Sequence, residues 1–304
     1  MLDAMSSDQS SSTHLLGEPK SEGQATQPLD PGLYVVSTPI GNLRDITLRA
    51  LDVLSSADEI LAEDTRVARR LLDAHDIRAK VSPYHDHNGA MRRPEILEKL
   101  EAGAAIALIS DAGTPLVSDP GYKLVREVSE AGHKVIPIPG ASALLAGLVT
   151  SGLPSDRFMF CGFLPAKSGA RKAEALSLAE VPASLIFYET GPRLADSLSD
   201  LAKGLSGDRE AAVARELTKL FEETLRGTLQ SLADHYRSAP KPKGEIVLLV
   251  GPPVQREANQ GEVDEALKSA LQEMPVKQAA NQVAEMFGLS KREAYQRALA
   301  LKDG

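Results

Sequence analysis

The feature that most constrains the fold is a series of short apolar runs, each followed by a turn that contains Gly, Pro or Ser. Continuous runs of Val, Ile and Leu are typical of strands covered on both faces, as in parallel sheets. Helical patterns lie between the runs, and alternation of strand and helix predicts layered α/β domains. The predicted strands are 33–37, 59–62, 105–110, 134–138, 184–188, 211–214 and 245–250.

Helices are predicted where apolar residues recur at three- or four-residue steps. The segment 47–55 has a leucine at every third position, and similar stripes occur in 93–102 and 121–131. The last of these stops before Gly132, as a helix C-terminus commonly does.

The length of the chain predicts two domains, because 304 residues exceed what one ordinary core holds. The pattern restarts after Gly-Leu-Pro at 152–154, where Phe158 begins a second set of elements. We expect one α/β domain at 31–152 and another at 153–252. Residues 1–30 are rich in Ser, Gln, Gly and Pro and poor in large apolar side chains, which predicts a disordered tail.

The final segment, 253–304, has the pattern of three helices without strands. Its second helix is predicted over 276–287, and Ser290 followed by Glu293 is the capping-box spacing that begins the third. Two helices joined by Gly-Leu-Ser resemble a helix-turn-helix, and the alternative is a hairpin that only packs. Four basic residues favour RNA contact: Lys291, Arg292, Arg297 and Lys302.

Charge and composition exclude several classes of protein. A net charge of −8 argues against coating nucleic acid non-specifically, so any RNA contact should be local. No apolar run is long enough to span a bilayer, and the first residues lack the pattern of a secretory signal. The single cysteine, Cys161, lies in an apolar run, which predicts a buried, inert thiol in a reducing compartment. We therefore expect a cytoplasmic protein.

Three turns that follow predicted strands are built from small residues. They are Thr-Pro-Ile-Gly-Asn at 38–42, Ser-Asp-Ala-Gly-Thr-Pro at 110–115 and Pro-Gly-Ala-Ser-Ala at 139–143. Ligands of open α/β sheets bind beyond the carboxyl ends of strands, where small residues let backbone amides approach. The common dinucleotide and phosphate-loop motifs are missing. The sequence therefore predicts a ligand crevice of a less common type.

The ordered motifs resemble the tetrapyrrole methylase-like family of S-adenosylmethionine enzymes, most closely its branch that methylates ribose in small-subunit ribosomal RNA. The resemblance runs from about Gly32 to Pro252 and continues into the C-terminal helices. One departure is Asp86, where the family has Glu between two histidines, which shortens the reach of the carboxylate. The other matching segments are 63–66 (Glu-Asp-Thr-Arg), 85–88 (His-Asp-His-Asn), 163–165 (Phe-Leu-Pro), 187–189 (Phe-Tyr-Glu), 215–219 (Arg-Glu-Leu-Thr-Lys) and 243–245 (Lys-Gly-Glu).

The resemblance implies two αβα domains of the tetrapyrrole methylase type, with S-adenosylmethionine in the cleft between them and a helix-turn-helix-like extension. It also implies which residues line the donor pocket. From the first domain these are Pro39, Asp111, Gly113, Thr114, Ser142 and Ala143, and from the second they are Tyr188, Leu217 and Gly244. Asp111 is suited to the methionine ammonium or a ribose hydroxyl, and a turn-stabilising role is its alternative.

Methyl transfer to a hydroxyl requires alignment and a group that receives or offsets the proton. Glu216, Lys219 and His87 are the candidates, and the sequence does not rank them. His85 and His87 should share one face of an extended segment. A metal site would need further ligands that no spacing nominates, so no metal is predicted.

Basic residues are the candidates for RNA contact, because phosphate contacts dominate RNA affinity. Lys167, Arg171 and Lys172 follow the Phe-Leu-Pro segment, and a solvated helix start is the alternative interpretation. The further candidates are Arg66, Arg69 and Arg70 on one helix, and Arg215 after a strand.

The expected function is methylation of a cytidine 2′-hydroxyl in the decoding region of 16S rRNA, on the small ribosomal subunit, by a homodimer. This substrate and the homodimer are implied by the resemblance. The alternatives are a methylase of small tetrapyrroles with the same fold, and a non-catalytic nucleic-acid binder that uses the C-terminal helices.

Overall fold

The computed structural model describes residues 28–253 and 260–303. Its contacts divide the chain into two compact units, one of Leu43–Ala141 with the residues up to Pro39, the other of Ile40–Asn42 with the residues from Ser142 onward. Of the predicted tail, 1–27 lie outside the described residues. In the described part of the chain, no helix is both long and apolar enough to cross a membrane.

The first unit is a parallel sheet with a helix after each of its first four strands. The strand order is β3-β2-β4-β1-β5, and every neighbouring pair is parallel, as the continuous apolar runs predict. The elements are β1 (Gly32–Val36), a 3₁₀ turn (Leu43–Asp45), α1 (Leu48–Ser56), β2 (Glu59–Ala62), α2 (Thr65–Asp73), β3 (Val81–Pro83), α3 (Gly89–Glu101), β4 (Ala105–Ile109), α4 (Tyr122–Glu130) and β5 (Val135–Ile138).

Both faces of this first sheet are buried. Ile60 packs with α1 and α2 through Leu54 and Leu72, whereas its neighbour Leu61 packs on the other face with residues of α3 and α4 such as Ile96. Successive residues of a strand point to opposite faces, so a run buried throughout must be covered on both sides. The helices cover the two faces of the sheet, and the turns lie at the carboxyl ends of the strands.

The second unit contains a mixed sheet of order β6-β7-β10-β8-β9. Only β6 and β7 are parallel, and the other pairs are antiparallel, so the expectation of parallel strands is wrong for this sheet. The short connection from β8 to β9 permits only an antiparallel pair. The elements are α5 (Ala143–Ser151), β6 (Phe158–Phe163), α6 (Ser168–Ser177), β7 (Ser184–Thr190), α7 (Gly191–Leu205), β8 (Glu210–Arg215), β9 (Glu223–Thr228), α8 (Leu229–Ser238) and β10 (Glu245–Val250).

Helix α5 packs in the second unit, although the sequence grouped it with the first domain. Gly147 lies against β10, where an added Cβ would stand 2.9 Å from Cγ1 of Val247. The side chain of Arg226 donates to the carbonyl oxygens of Thr150 and Ser151 at the end of the helix. The close approach at Gly147 is a tertiary contact that the helical pattern does not reveal.

The last three helices form a cluster of their own side chains. They are α9 (Gln260–Glu273), α10 (Val276–Phe287) and α11 (Lys291–Asp303), and they bury Val263, Leu267, Ala280 and Ala294 among others. Gly288 ends α10 in the left-handed conformation, as predicted. Arg297 pairs with Asp264 at 2.6 Å, so this predicted RNA contact ties α11 to α9 instead.

Candidate functional site

The turns after β1 and β4 are joined by backbone hydrogen bonds. Thr38 N–H donates to the Gly113 carbonyl at 2.9 Å, and Gly113 N–H donates to the Thr38 carbonyl at 3.1 Å. The Thr38 hydroxyl also donates to the Ser110 carbonyl at 3.3 Å. The two small-residue turns that the sequence nominated are therefore neighbours in the first unit.

Side-chain hydroxyls connect the turn after β5 to the same place. Ser37 Oγ donates to Thr114 Oγ1 at 3.1 Å, and Thr114 Oγ1 donates to the Ala141 carbonyl at 3.2 Å. Gly140 packs so closely that an added Cβ would stand 2.9 Å from Cβ of Ser37. All three predicted turns thus form one bonded group at the carboxyl ends of β1, β4 and β5.

Asp111 lies exposed at the edge of this group of turns. Its Oδ1 accepts a hydrogen bond at 3.0 Å from the backbone N–H of Asp64, at the end of β2. The Asp111 carboxylate therefore connects the turn after β4 to the end of β2. Pro39 and Gly113 are buried, and Gly113 has φ of 78°, a conformation that favours glycine.

An acidic group beside these turns was not recognised in the sequence. Burial, reinforced by Glu63 and Asp111, raises the pKa of Asp119 to about 6, against a hydrogen bond from Ser110 that lowers it. Burial also raises the pKa of Glu63, and the charges of Asp111, Asp86 and Asp64 add to that effect. Asp119 lies four residues beyond the turn 110–115 that the sequence nominated.

The raised pKa of Asp119 predicts a specific dependence of stability on pH. Between about pH 4 and 6 the folded state holds a proton that the unfolded chain releases, so the free energy of unfolding falls as pH rises through this window. Asp119→Asn should flatten the fall and stabilise the protein above pH 6 by about 1–3 kcal/mol. Urea unfolding at pH 4.5 and 7.5 measures this.

The control for this prediction is Asp208→Asn, because Asp208 is exposed. The free energy of unfolding of this variant should depend on pH as that of the wild-type protein does. A profile for Asp119→Asn that parallels the wild type would contradict the assigned cause.

Ser142 and Ala143 begin α5. Ser142 is its N-cap residue with extended backbone, and its side chain makes no capping hydrogen bond within the described residues. Backbone N–H groups at a helix start lack partners inside the helix. Both residues therefore lie where polar ligand atoms can be bound, immediately after the bonded turns.

In the second unit, the loop 216–222 between β8 and β9 holds the predicted pair Glu216 and Lys219. The Lys219 ammonium lies 2.9 Å from Glu216 Oε1 and 2.9 Å from Glu245 Oε2. Although partial burial lowers it, these two hydrogen-bonded carboxylates raise the pKa of Lys219. The Lys219 hydrogen bond in turn lowers the pKa of Glu216. The lysine is thus held as a cation and the glutamate as an anion.

Two glycines leave room for this pair. An added Cβ on Gly41 would stand 2.5 Å from Cγ of Lys219, and one on Gly244 would fall on the Glu216 carboxylate. Gly244 has φ of 94°, which also excludes most other residues. Gly244 therefore positions Glu216. Leu217, the next residue of the loop, is buried.

Tyr188 lies on β7 in a group of aromatic rings. Its ring makes edge contacts with Phe160 at 4.9 Å and with Phe163 at 5.6 Å between centroids. The nearby thiol of Cys161 is half-buried, and burial raises its pKa to about 11. The prediction of an inert thiol agrees with that pKa.

The segment with two histidines turns and does not stay extended. Residues 86–88 form a turn, since Asn88 Oδ1 accepts from the His85 N–H at 2.9 Å. The two imidazoles lie 6.0 Å apart at 64°, with His87 exposed. Within 28–253 and 260–303, no group of three or more His, Cys, Asp or Glu side chains is placed to hold a metal ion.

Arg171 is buried, so the prediction that it contacts RNA is corrected. It is 4% exposed, its guanidinium lies 2.7 Å from Asp200, and it donates to the Pro165 and Ala166 carbonyls. Lys167 is exposed, and Lys172 lies 3.7 Å from the same Asp200. Arg171 therefore stabilises the loop at 165–166, and Lys167 and Lys172 are the other two cations of this predicted RNA surface.

Removing the Arg171 side chain should therefore destabilise the fold. Arg171→Met leaves Asp200 buried without its main partner, which costs about 3–5 kcal/mol. The exposed Lys167→Met should change stability by no more than about 0.5 kcal/mol. Urea unfolding compares the two variants, and equal stabilities would contradict the structural role of Arg171.

The arginines of α2 flank a groove of about 800 Å³ between α2 and β3. Arg69, Arg78 and Lys80 line it together with Asp73 and Asp76. Arg66 and Arg70 are exposed on the same helix. This patch therefore carries more cations than carboxylates, although Lys80 also pairs with Glu59 at 3.2 Å.

Two of the predicted RNA-binding arginines are already paired. Arg66 lies 2.6 Å from Asp64, and this hydrogen-bonded pairing lowers the pKa of Asp64 to about 2. Arg215 lies 3.0 Å from Glu223 across the β8–β9 pair and is the less exposed of the two. The ion pair of Arg215 thus stabilises the pairing of β8 with β9.

Comparison with known families defines the class to which this architecture belongs. A model described as Tetrapyrrole (Corrin/Porphyrin) Methylases matches residues 32–233, and one described as RsmI C-terminal HTH domain matches residues 257–302. A cobalt precorrin-4 methyltransferase structure has a TM-score of 0.54 at 18% identity, over 72% of this chain and 94% of its own. The fold is therefore that of a tetrapyrrole methylase, with a helix-turn-helix at its C-terminal end.

A second solved structure gives the same fold. It is the uroporphyrin-III C-methyl transferase of Thermus thermophilus complexed with S-adenyl homocysteine, with a TM-score of 0.52 at 19% identity, over 74% of this chain and 99% of its own. At such identities the likeness concerns architecture.

Relatives with higher identity narrow the class. A Ribosomal RNA small subunit methyltransferase I from Mesorhizobium japonicum is 53% identical over 277 residues, which are 91% of this chain and 94% of the relative. A protein of the same name from Vibrio cholerae is 48% identical over 270 residues, which are 87% of this chain and 93% of the relative. The chain belongs to the ribosomal RNA small subunit methyltransferase I family.

Proposed function

We propose that this protein transfers a methyl group from S-adenosylmethionine to the 2′-hydroxyl of a cytidine in the decoding region of 16S rRNA. The observation that carries the proposal is the bonded group of turns after β1, β4 and β5 in a chain of this family. The relatives' names support ribosomal RNA as the substrate. We also propose a homodimer that acts in the cytoplasm on the small ribosomal subunit.

The residues of the turns fit the proposed donor. Gly113 and Gly140 provide a backbone surface without side chains, and a Cβ on Gly140 would strike Ser37. Asp111 is an exposed carboxylate at the edge of the group, suited to an ammonium or to ribose hydroxyls through charge-assisted hydrogen bonds. When bound, the donor supplies an electrophilic methyl on a positively charged sulfur.

The further donor contacts are proposed from the remaining predicted residues. Ser142 and Ala143 offer the start of α5, and Tyr188 offers an aromatic ring. Leu217 is a buried residue of the loop that carries Lys219. Pro39 and Thr114 are also proposed to line the donor pocket, and Thr114 bonds to Ser37 and to the Ala141 carbonyl.

The pair Glu216 and Lys219 is the proposed catalytic group. Lys219 is held as a cation, so it offsets the negative charge that develops on the 2′-oxygen as the hydroxyl proton passes to solvent water. Glu216 is held as an anion and keeps the ammonium in position. His87 is exposed on a turn of the first unit and is proposed only as a substrate contact.

The RNA surface is proposed to include Lys167, Lys172 and the arginines of α2. Lys167 and the arginines of α2 are exposed and Lys172 is partly exposed. The net charge of the chain is −8, so the binding of RNA should be local and sensitive to salt. Lys291 and Arg292 at the start of α11 are exposed as well.

The experiment that tests the function is methyl transfer from labelled S-adenosylmethionine to two acceptors. Small ribosomal subunits from cells that lack this methylation should take up label, in one cytidine ribose located by mass spectrometry. A porphyrinoid acceptor should take up none. Label in the porphyrinoid alone would support a tetrapyrrole methylase, and donor binding without transfer to either acceptor would contradict the proposal.

A further inference from the structure

The loop 216–222 is held rigid by bonds within itself and to β10. Glu216 N–H donates to the Glu245 carbonyl at 3.0 Å, and Glu222 N–H donates to the Lys219 carbonyl at 3.1 Å. The Glu222 carboxylate accepts from the Thr218 N–H. Thr218 adopts φ of 67°, a conformation that costs free energy in a residue with a side chain. These bonds thus hold the tip of the loop 216–222 in one strained backbone conformation.

This rigid loop displays two large apolar side chains. Leu220 is 89% exposed and Phe221 is 67% exposed, side by side at the tip. Single exposed apolar residues are normal on a protein surface, but here bonds fix the backbone that presents an adjacent pair. An aromatic ring that is already positioned loses little entropy when it binds, which favours recognition by this pair.

The charges around the tip separate into satisfied carboxylates and unpaired cations. Glu222 is bound by a backbone N–H, and Glu223 pairs with Arg215. The adjoining loop 240–244 is tied to β8 where Arg215 donates to the Lys243 carbonyl at 3.4 Å. Lys241 and Lys243 are exposed, and neither forms an ion pair within the described residues. Two exposed lysines therefore lie on a loop that is bonded to Arg215, the residue just before the loop 216–222.

We propose that this tip binds an unpaired nucleotide next to the one that is methylated, with Phe221 stacked on its base. Lys241 and Lys243 would contact the phosphates that flank it. The inference rests on the proposed function. It adds a positioning element for the RNA strand, in which Leu220 packs against the same nucleotide.

Dimensions of chain and strand support this assignment. Phe221 lies two residues after Lys219, and two residues span at most about 7 Å. Bases of one strand are spaced by about 3.4 Å, so the ring reaches a base one or two steps from a hydroxyl held at Lys219. Stacking on an aromatic ring tolerates any base, because each base has a π face.

The test uses the full-length protein and measures kcat/KM with small ribosomal subunits. Phe221→Ala should lower kcat/KM by about 10-fold or more, chiefly through KM, because stacking of one base on an aromatic ring contributes about 1–3 kcal/mol. Phe221→Tyr keeps the ring and should stay within about threefold of the wild type. Leu48→Ala removes a side chain that is 77% exposed elsewhere and is the matched control.

The two lysines have a separate readout in the salt dependence. Changing Lys241 and Lys243 together to Gln should reduce the slope of log(kcat/KM) against log[salt] by about 0.7 for each phosphate of a single strand that these lysines neutralise. An unchanged slope would contradict their assignment to phosphates. Donor affinity, measured by calorimetry, should be unchanged in all of these variants.

Several outcomes would overturn the proposal. If Phe221→Ala retains full kcat/KM, or if Phe221→Tyr fails as badly as Phe221→Ala, the ring does not stack on a base. If Phe221→Ala converts a dimer to a monomer in light scattering, the tip is a contact between copies of the chain. If the wild type methylates no ribosomal RNA, the proposed function fails first and this inference falls with it.

Discussion

Lys219→Ala should lower kcat for methyl transfer by about 100-fold while donor affinity stays within about twofold of the wild type. The ammonium is held by Glu216 and Glu245 at 2.9 Å each, so its charge is fixed before the substrate arrives. Loss of one preorganised group that stabilises developing charge typically reduces kcat by about 10²–10³. Single-turnover transfer from labelled donor, at saturating subunits, measures the effect.

Matched variants separate this role from a structural one. Lys203→Ala removes an exposed lysine of α7 and should have no effect. Glu216→Gln keeps the size of the side chain but removes one of the two charges that hold Lys219, so an intermediate loss is expected. If Lys219→Ala transfers methyl at the wild-type rate, the proposed catalytic role of the loop is incorrect.

Asp111→Ala should weaken binding of S-adenosylmethionine by about 10- to 100-fold. A hydrogen bond to a charged group contributes about 1.5–3 kcal/mol, and each 1.4 kcal/mol is tenfold in affinity. Asp111 also accepts from the Asp64 N–H, so a second variant is needed to separate donor binding from an effect on β2. Asp111→Asn keeps an acceptor for that N–H while it removes the charge, and it should lose most of the affinity as well.

Calorimetric titration of the donor measures these affinities. Asp208→Ala, which removes an exposed aspartate elsewhere, is the control and should bind as the wild type does. Wild-type affinity in Asp111→Ala would remove Asp111 from the donor site.

The central strands could be predicted from the sequence because they are buried on both faces. Runs such as 105–110 and 245–250 contain almost only apolar residues, and they form the interior strands β4 and β10. The strands without such a prediction, β3, β6 and β9, are edge strands with partly exposed residues. An edge strand covers less of the core, so its sequence carries a weaker apolar pattern.

The direction of the second sheet could not be predicted from the same pattern. Apolar runs report burial, and the strands of both sheets are buried to a similar degree. Direction depends on how the strands are connected, and the connection from β8 to β9 has only seven residues, 216–222. Prediction of β9 would have been required before that connection could be recognised.

The turns of the first unit could be predicted as a group because their small residues follow successive strands. Their hydrogen bonds, such as Ser37 to Thr114, follow from the order of β1, β4 and β5 in the sheet. The role of Arg171 could not be predicted, since its partner Asp200 lies 29 residues away along the chain. A basic residue near two lysines has the same local pattern whether it is buried or exposed.

The pKa of Asp119 is a similar case. Its neighbour Glu63 follows β2 and its neighbour Asp111 follows β4, so the burial and charges that raise the pKa are brought together only in the folded chain. The positive φ values of Glu216 and Thr218 are likewise absent from any local pattern, because non-glycine residues rarely adopt them.

The most direct test of the account is amide hydrogen exchange with and without S-adenosylhomocysteine, the product form of the donor. The turns at 38–42, 110–115 and 139–143 should gain protection together, since one ligand contacts all three. The helices of 260–303 should exchange at the same rate in both states. Protection confined to those helices, or bound ligand with no change in the three turns, would contradict the claim that the turns form the donor site.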